Sequence, residues 1–149
     1  MSLDTIITDL RTELARMNDV ADGFQAVKEL FQFSSYTPTL AAGGSMTFTS
    51  TTITVASYMR VNKLGLIDVQ ISGTTGGSAH PDLTFTLPSG WSHADTNGTR
   101  GFVRINDGGG VGGEFLPSSG IIVVRNLTGA NWGIGAGRSY RGLVILRLA

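Results

Sequence analysis

Of the 21 glycines in this chain, 20 follow residue 42, and Gly23 alone precedes it. That partition rules out one kind of structure throughout. Glycine weakens a helix interior by roughly 0.5–1 kcal/mol relative to alanine. The front is therefore free to be helical, whereas the back is broken into short pieces by turns. Serine and threonine replace helix formers at the same boundary. The composition divides the chain into a helical segment at 1–33, a linker at 34–44 and a strand-rich domain at 45–149.

The front carries a second signal. Leu3, Ile7, Leu10, Leu14, Met17, Ala21 and Phe24 alternate spacings of four and three residues. That is the a/d seam of a heptad repeat. Lys28 and Phe31 take the next a and d positions. Thr8, Arg11, Thr12, Arg16, Asn18 and Asp19 make the remaining surface polar. Asp4 and Asp9 lie toward the end where the helix dipole favours negative charge. Gly23 interrupts the pattern, and a break there, with Asp22 capping a second short helix, is one reading. Three heptads are marginal as an isolated coil in water. The seam either self-associates or packs on its own domain.

Pro38 stops any helix and biases Thr37 to extended geometry. Beyond it the periodicity changes to two. Tyr58–Gly77 (YMRVNKLGLIDVQISGTTGG) reads as strand, turn, strand and glycine loop. Val61, Leu64, Leu66, Val69 and Ile71 supply apolar side chains; Arg60, Asn62, Asp68 and Gln70 interleave polar ones. Asn62-Lys63 is the turn. Further strands are expected at Ser45–Ser50, Thr52–Val61, Leu83–Leu87, Arg100–Asn106, Glu114–Leu116, Ile121–Arg125 and Ser139–Leu148. Asn97-Gly98 is a hairpin signal. About eight strands separated by turn chemistry define a mainly β fold, an antiparallel β-sandwich or jelly-roll-like domain behind an N-terminal α-helix. Leu143, Val144, Ile145, Leu146 and Leu148 fill both faces of the last strand. It belongs in a sheet centre or against a partner subunit.

Charge and composition narrow the function. Residues 1–35 hold six acids and three bases; the rest holds five acids and eight bases, seven of them arginine. The net charge is zero, which argues against a dominant nucleic-acid role. Without cysteine there is no disulfide, thiolate metal site or thiol catalysis. No run of 18 apolar residues is present, so membrane insertion is not expected. The start, MSLDTII, does not read as a secretory signal.

No residue set makes a convincing active site, and the chain is not read as an enzyme. His80-Pro81-Asp82 and His93-Ala94-Asp95 share an H-x-D spacing that suits a metal or an oriented acid/base histidine. Neither has a third ligand, and exposed loop residues are the simpler reading. No metal or other cofactor is expected. The G-x-S-x-G elbow is absent. Asp107–Gly113 (DGGGVGG) has the glycines of a phosphate cradle but no GK[ST], and reads as a loop tip. Asn97-Gly98-Thr99 and Asn126-Leu127-Thr128 match a glycosylation sequon. Trp91 and Trp132 lie in polar loops, the first near Ser89, Gly90, His93 and Asp95, the second between Asn131 and Gly133. Either they stack on a sugar ring, or they plug the domain end or a subunit interface. Arg100, Arg104, Arg125, Arg138 and Arg141 meet anionic surface polymers or salt-bridge across subunits.

A helical N-terminus followed by YTPTL (Tyr36–Leu40), MTFTS (Met46–Ser50), Tyr58–Gly77 and LTFTLPSG (Leu83–Gly90) resembles the compact β-sandwich modules of tailed-bacteriophage virion proteins. The likeness covers residues 36–90 and continues beyond them only in style. Such modules occur in tail-fibre heads, baseplate appendages and head fibres, and are generally homotrimeric. The resemblance implies a homotrimer located on the virion. Its helices would bundle through Leu3, Ile7, Leu10, Leu14, Met17 and Phe24 as a short trimeric coiled coil and attach to other virion proteins. Its head would offer Trp91, His93, Asp95 and Trp132 to a host-surface glycan or protein. A capsid decoration protein bound to other capsid subunits is the alternative, and a stand-alone lectin-like module a further one.

Overall fold

The computed structural model describes residues 3–94, 101–108 and 111–149, and only the backbone at Leu3, Val27, Lys28 and Leu30. The chain divides into two units, residues 1–32 and 33–149.

The first unit is a single helix, α1 (Leu3–Leu30). It runs through Gly23 without a break. One glycine costs about 1 kcal/mol, too little to divide a helix of this length, and a Cβ built at Gly23 meets nothing within 4 Å. Thr8 and Thr12 donate their hydroxyls to carbonyls one turn back, Asp4 O and Thr8 O. Arg16 and Glu13 make an exposed ion pair at 3.0 Å, of the kind that adds little stability.

The second unit is mainly β. Its strands are β1 (Ser34–Ser35), β2 (Leu40–Ala42), β3 (Met46–Val61), β4 (Leu64–Gly77), β5 (Asp82–Thr86), β6 (Gly101–Asn106), β7 (Val111–Ser118), β8 (Ile121–Asn126) and β9 (Gly135–Arg147). They form one antiparallel sheet in the order β1-β3-β4-β9-β6-β7-β8-β5-β2. Residues 34–44, expected as a linker, hold two of these strands. β1 pairs with β3 and β2 with β5. Tyr36 N–H donates to Ala56 O on β3, and Thr86 N–H at the end of β5 donates to Thr39 O. One short segment therefore hydrogen-bonds to strands near both ends of the sheet order, which requires the sheet to curl. Pro38, with no N–H to offer a ladder, is buried between the two pairings.

Curling gives the sheet an inside. β4 alternates regularly, with Gly65, Ile67, Val69, Ile71, Gly73 and Thr75 turned inward. They meet Leu83 and Phe85 of β5, Val103 and Ile105 of β6, Phe115 of β7, Ile122 and Val124 of β8, and Tyr140, Val144 and Leu146 of β9. Leu64 and Leu66 lie in the opposite phase and face outward, a correction to the hairpin as read from sequence. Asn62-Lys63 is the turn between β3 and β4, with Asn62 in the left-handed region at φ 54°. Gly73–Gly77, expected as a loop, continues β4 and pairs back to Met46–Thr49 and onward to β9. β3 is bulged between Thr49 and Thr52 and between Ile53 and Val55, and its stretch Thr49–Thr54 is exposed on both faces.

Candidate binding surface

The residues singled out from sequence separate sharply. Trp132 is 1% exposed, a core side chain against Tyr140. It takes the packing alternative and has no surface to offer a ligand. Trp91 is half-buried. Its ring packs edge-on to Tyr58 at 5.2 Å, and Tyr58 packs edge-on to Tyr36 at 5.7 Å. It also sits over Gly65, where a Cβ would meet it. His93 bridges to Leu148, with Ala94 N–H donating to Arg147 O and Ala149 N–H to Ser92 O. Both His93 ring nitrogens are buried. Asp95, Arg100 and the Asn97-Gly98 signal lie outside the described residues.

His80-Pro81-Asp82 has a packing and turn role. His80 Nδ1 accepts the Asp82 N–H at 3.1 Å, and the ring fills the space above Gly43 and Gly44. Asp82 accepts from Arg125 Nε at 2.7 Å, and this bond raises the Arg125 pKa. Among the described residues no three His, Asp or Glu side chains gather in a metal-binding group. Asn126 accepts from the Thr128 N–H and hydroxyl through Oδ1 and is buried, so that sequon caps a turn.

The segment between β8 and β9 is fixed from two sides. Asp107 Oδ1 accepts the Gly133 N–H at 2.7 Å and lies 3.5 Å from Arg138 Nε. Arg138 donates to Gly133 O and Ile134 O. Thr75, almost fully buried, donates its hydroxyl to Gly133 O at 2.6 Å and accepts the Gly135 N–H at 3.1 Å. This network holds Trp132 in the core. The Tyr36 and Tyr140 hydroxyls are buried without a protein hydrogen-bond partner. Burial pushes both phenols well above their ordinary range, and for Tyr140 the Tyr36 charge adds to it.

Among the described residues, exposed apolar side chains group on α1 and on the outer face of the β unit. On α1, Leu10, Leu14, Met17 and Phe24 are 59–73% exposed. On the β unit, the outer face of β3-β4-β9-β6 carries the second group. Met59 pairs with Leu66, and Leu66 with Ile145. One step along, Asp68 pairs with Leu143, and the Val103–Gly142 pairing sets Phe102 beside Leu143. Phe102 is 82% exposed, Ile145 48% and Leu143 42%. β9 thus lies in the sheet centre with its inner face buried and its outer apolar face open. Neighbouring exposed apolar side chains of this kind are a candidate interaction site.

Beside the apolar strip the outer face turns polar. Gln70, Arg141 and Arg104 stand in one row across β4, β9 and β6; Ser72, Ser139 and Asn106 stand in the next. Sequence reasoning grouped Arg104 and Arg141 with the other arginines. Only the β6–β9 register, which is non-local, separates them. Comparison with protein-family models, curated proteins and solved structures finds no match.

Proposed function

We propose that this chain is a homotrimeric virion protein of a tailed bacteriophage, acting by adhesion and assembly rather than catalysis. Its α1 helices associate as a three-stranded coiled coil and hold it to other virion proteins. Its β units, sandwich-like in the family sense, meet the host surface. The observation that carries the reading is the heptad seam of α1, a single helix on which Leu10, Leu14, Met17 and Phe24 repeat at a/d spacing with their apolar side chains exposed. A helix of this length with an uncovered a/d stripe is stabilised by copies of itself. The exposed outer face of β9 supports the same conclusion, because copies brought together by α1 have a second apolar surface to bury. The likeness of residues 36–90 to phage head modules supplies the setting. Weak contacts repeated three times give useful avidity at a cell surface.

Immunogold electron microscopy of purified phage particles tests the location. Gold at the tail tip or fibres supports adhesion. Gold spread over the capsid supports the decoration role. Protein found only free of particles contradicts the virion reading.

A further inference from the structure

Arg104 on β6 and Arg141 on β9 are direct cross-strand partners on the outer face, and both are exposed. Like charges set opposite each other in a sheet destabilise it. A carboxylate beside them would relieve that cost, yet neither has an acidic partner among the described residues. Elsewhere in the β unit arginines are engaged. Arg125 pairs with Asp82, Arg138 with Asp107, and Arg60 donates to the Asn62 carbonyl. The pair also lies in a concavity. Gln70, Arg104, Asn106, Ser139 and Arg141 line a polar cleft of about 530 Å³. On the far side of Arg104 the paired residue is Gly112, which carries no side chain to crowd the guanidinium.

We propose that this cleft is a binding site for an acidic sugar. The two guanidiniums take its carboxylate, sulfate or phosphate. Paired planar donors match such oxyanions, and the charge-assisted bonds are the strong ones. Gln70, Asn106 and Ser139 supply donors and acceptors for the ring hydroxyls. The volume falls within the range of small-ligand sites. The proposal rests on the adhesion reading and names the class of surface polymer recognised: an anionic polysaccharide.

Calorimetric titration of the full-length protein separates the possibilities. The probes are oligogalacturonate for carboxylate, a heparin oligosaccharide for sulfate, glycerol-phosphate teichoic acid for phosphate and neutral dextran as control. Binding of at least one acidic probe and none of dextran is expected, with affinity falling as salt rises. Arg104→Gln with Arg141→Gln should lower that affinity at least tenfold, while Lys63→Gln leaves it unchanged. Thermal melting of each variant establishes that the fold is kept. No binding of any acidic probe, equal binding of dextran, or full affinity in the double variant overturns the site. So does dissociation of the oligomer in the double variant, which would show that the arginines hold a neighbouring copy's carboxylate. Host-cell adhesion that survives the double variant defeats the site but leaves the adhesion reading standing; absence from particles defeats the reading alone.

Discussion

The Phe115 ring occupies the space above Gly142: a Cβ built on Gly142 lies 2.8 Å from Phe115 Cε2 and 2.6 Å from the Phe102 carbonyl oxygen. Phe115 is fully buried, edge-on to Phe85 at 5.8 Å. The position demands the absence of a side chain, because one of the two clashes is with backbone. Gly142→Ala should cost about 3 kcal/mol, the upper end of overpacking penalties. Urea unfolding followed by tryptophan fluorescence measures it. A midpoint unchanged from the parent would show that β9 and β6 are not packed this closely.

Gly23 presents the opposite case. It lies in a helix interior with open space around it. Gly23→Ala should stabilise α1 by about 1 kcal/mol per copy. Helical ellipticity at 222 nm should persist to a higher temperature. A loss of ellipticity would mean that the chain needs a bend there.

The buried phenols predict an alkaline limit. Both are raised above the unfolded value of about 10. Between that value and the higher folded one, the unfolded state releases protons that the folded state keeps. Stability is therefore fully present below about pH 10 and falls as pH rises further. Absorbance at 295 nm should show Tyr36 and Tyr140 ionising only together with unfolding. Tyr140→Phe should flatten this dependence and leave stability near neutral pH unchanged or higher, because no protein hydrogen bond is lost. Ionisation of these two groups in the folded protein would contradict their burial.

Asp107 and Arg138 are 12% and 16% exposed. Removing one partner leaves the other charge poorly solvated and also frees the Gly133 N–H. Asp107→Ala should cost about 3 kcal/mol and shift tryptophan emission to longer wavelength as Trp132 loses its packing. A variant with parental stability and emission would show that the network does not hold this segment.

Local patterns in the sequence locate many elements and leave their pairing open. LTFTL alternates and IIVV is a short β-branched apolar run, and β5 and β8 stand there. Asn62 tolerates a positive φ, so the hairpin turn is visible in the residue type. The phase of β4 is not, because Leu64 and Leu66 suit an inner face as well as Ile67 and Val69 do. What decides it is Trp91 above Gly65 and Phe48 against Gly73, both contacts with side chains outside β4. The strands within 34–42 were hidden for the same reason: their partners lie in β3 and β5, and Pro38 between them reads locally as a break. Between Asn131 and Gly133, Trp132 fits a sugar-stacking aromatic and a buried plug alike. Its burial depends on Thr75 and Asp107, which are distant in sequence. The arginines needed the β6–β9 register before two of the five could be told apart.

Self-association in threes is the claim on which the functional account turns, and sedimentation equilibrium of the full chain tests it most directly. The account predicts a mass three times the 15.7 kDa of one chain. It also predicts that Leu10→Ser with Leu14→Ser, or Leu143→Ser with Ile145→Ser, shifts the equilibrium toward smaller species. A parent protein that sediments as a 15.7 kDa monomer at every concentration would contradict it.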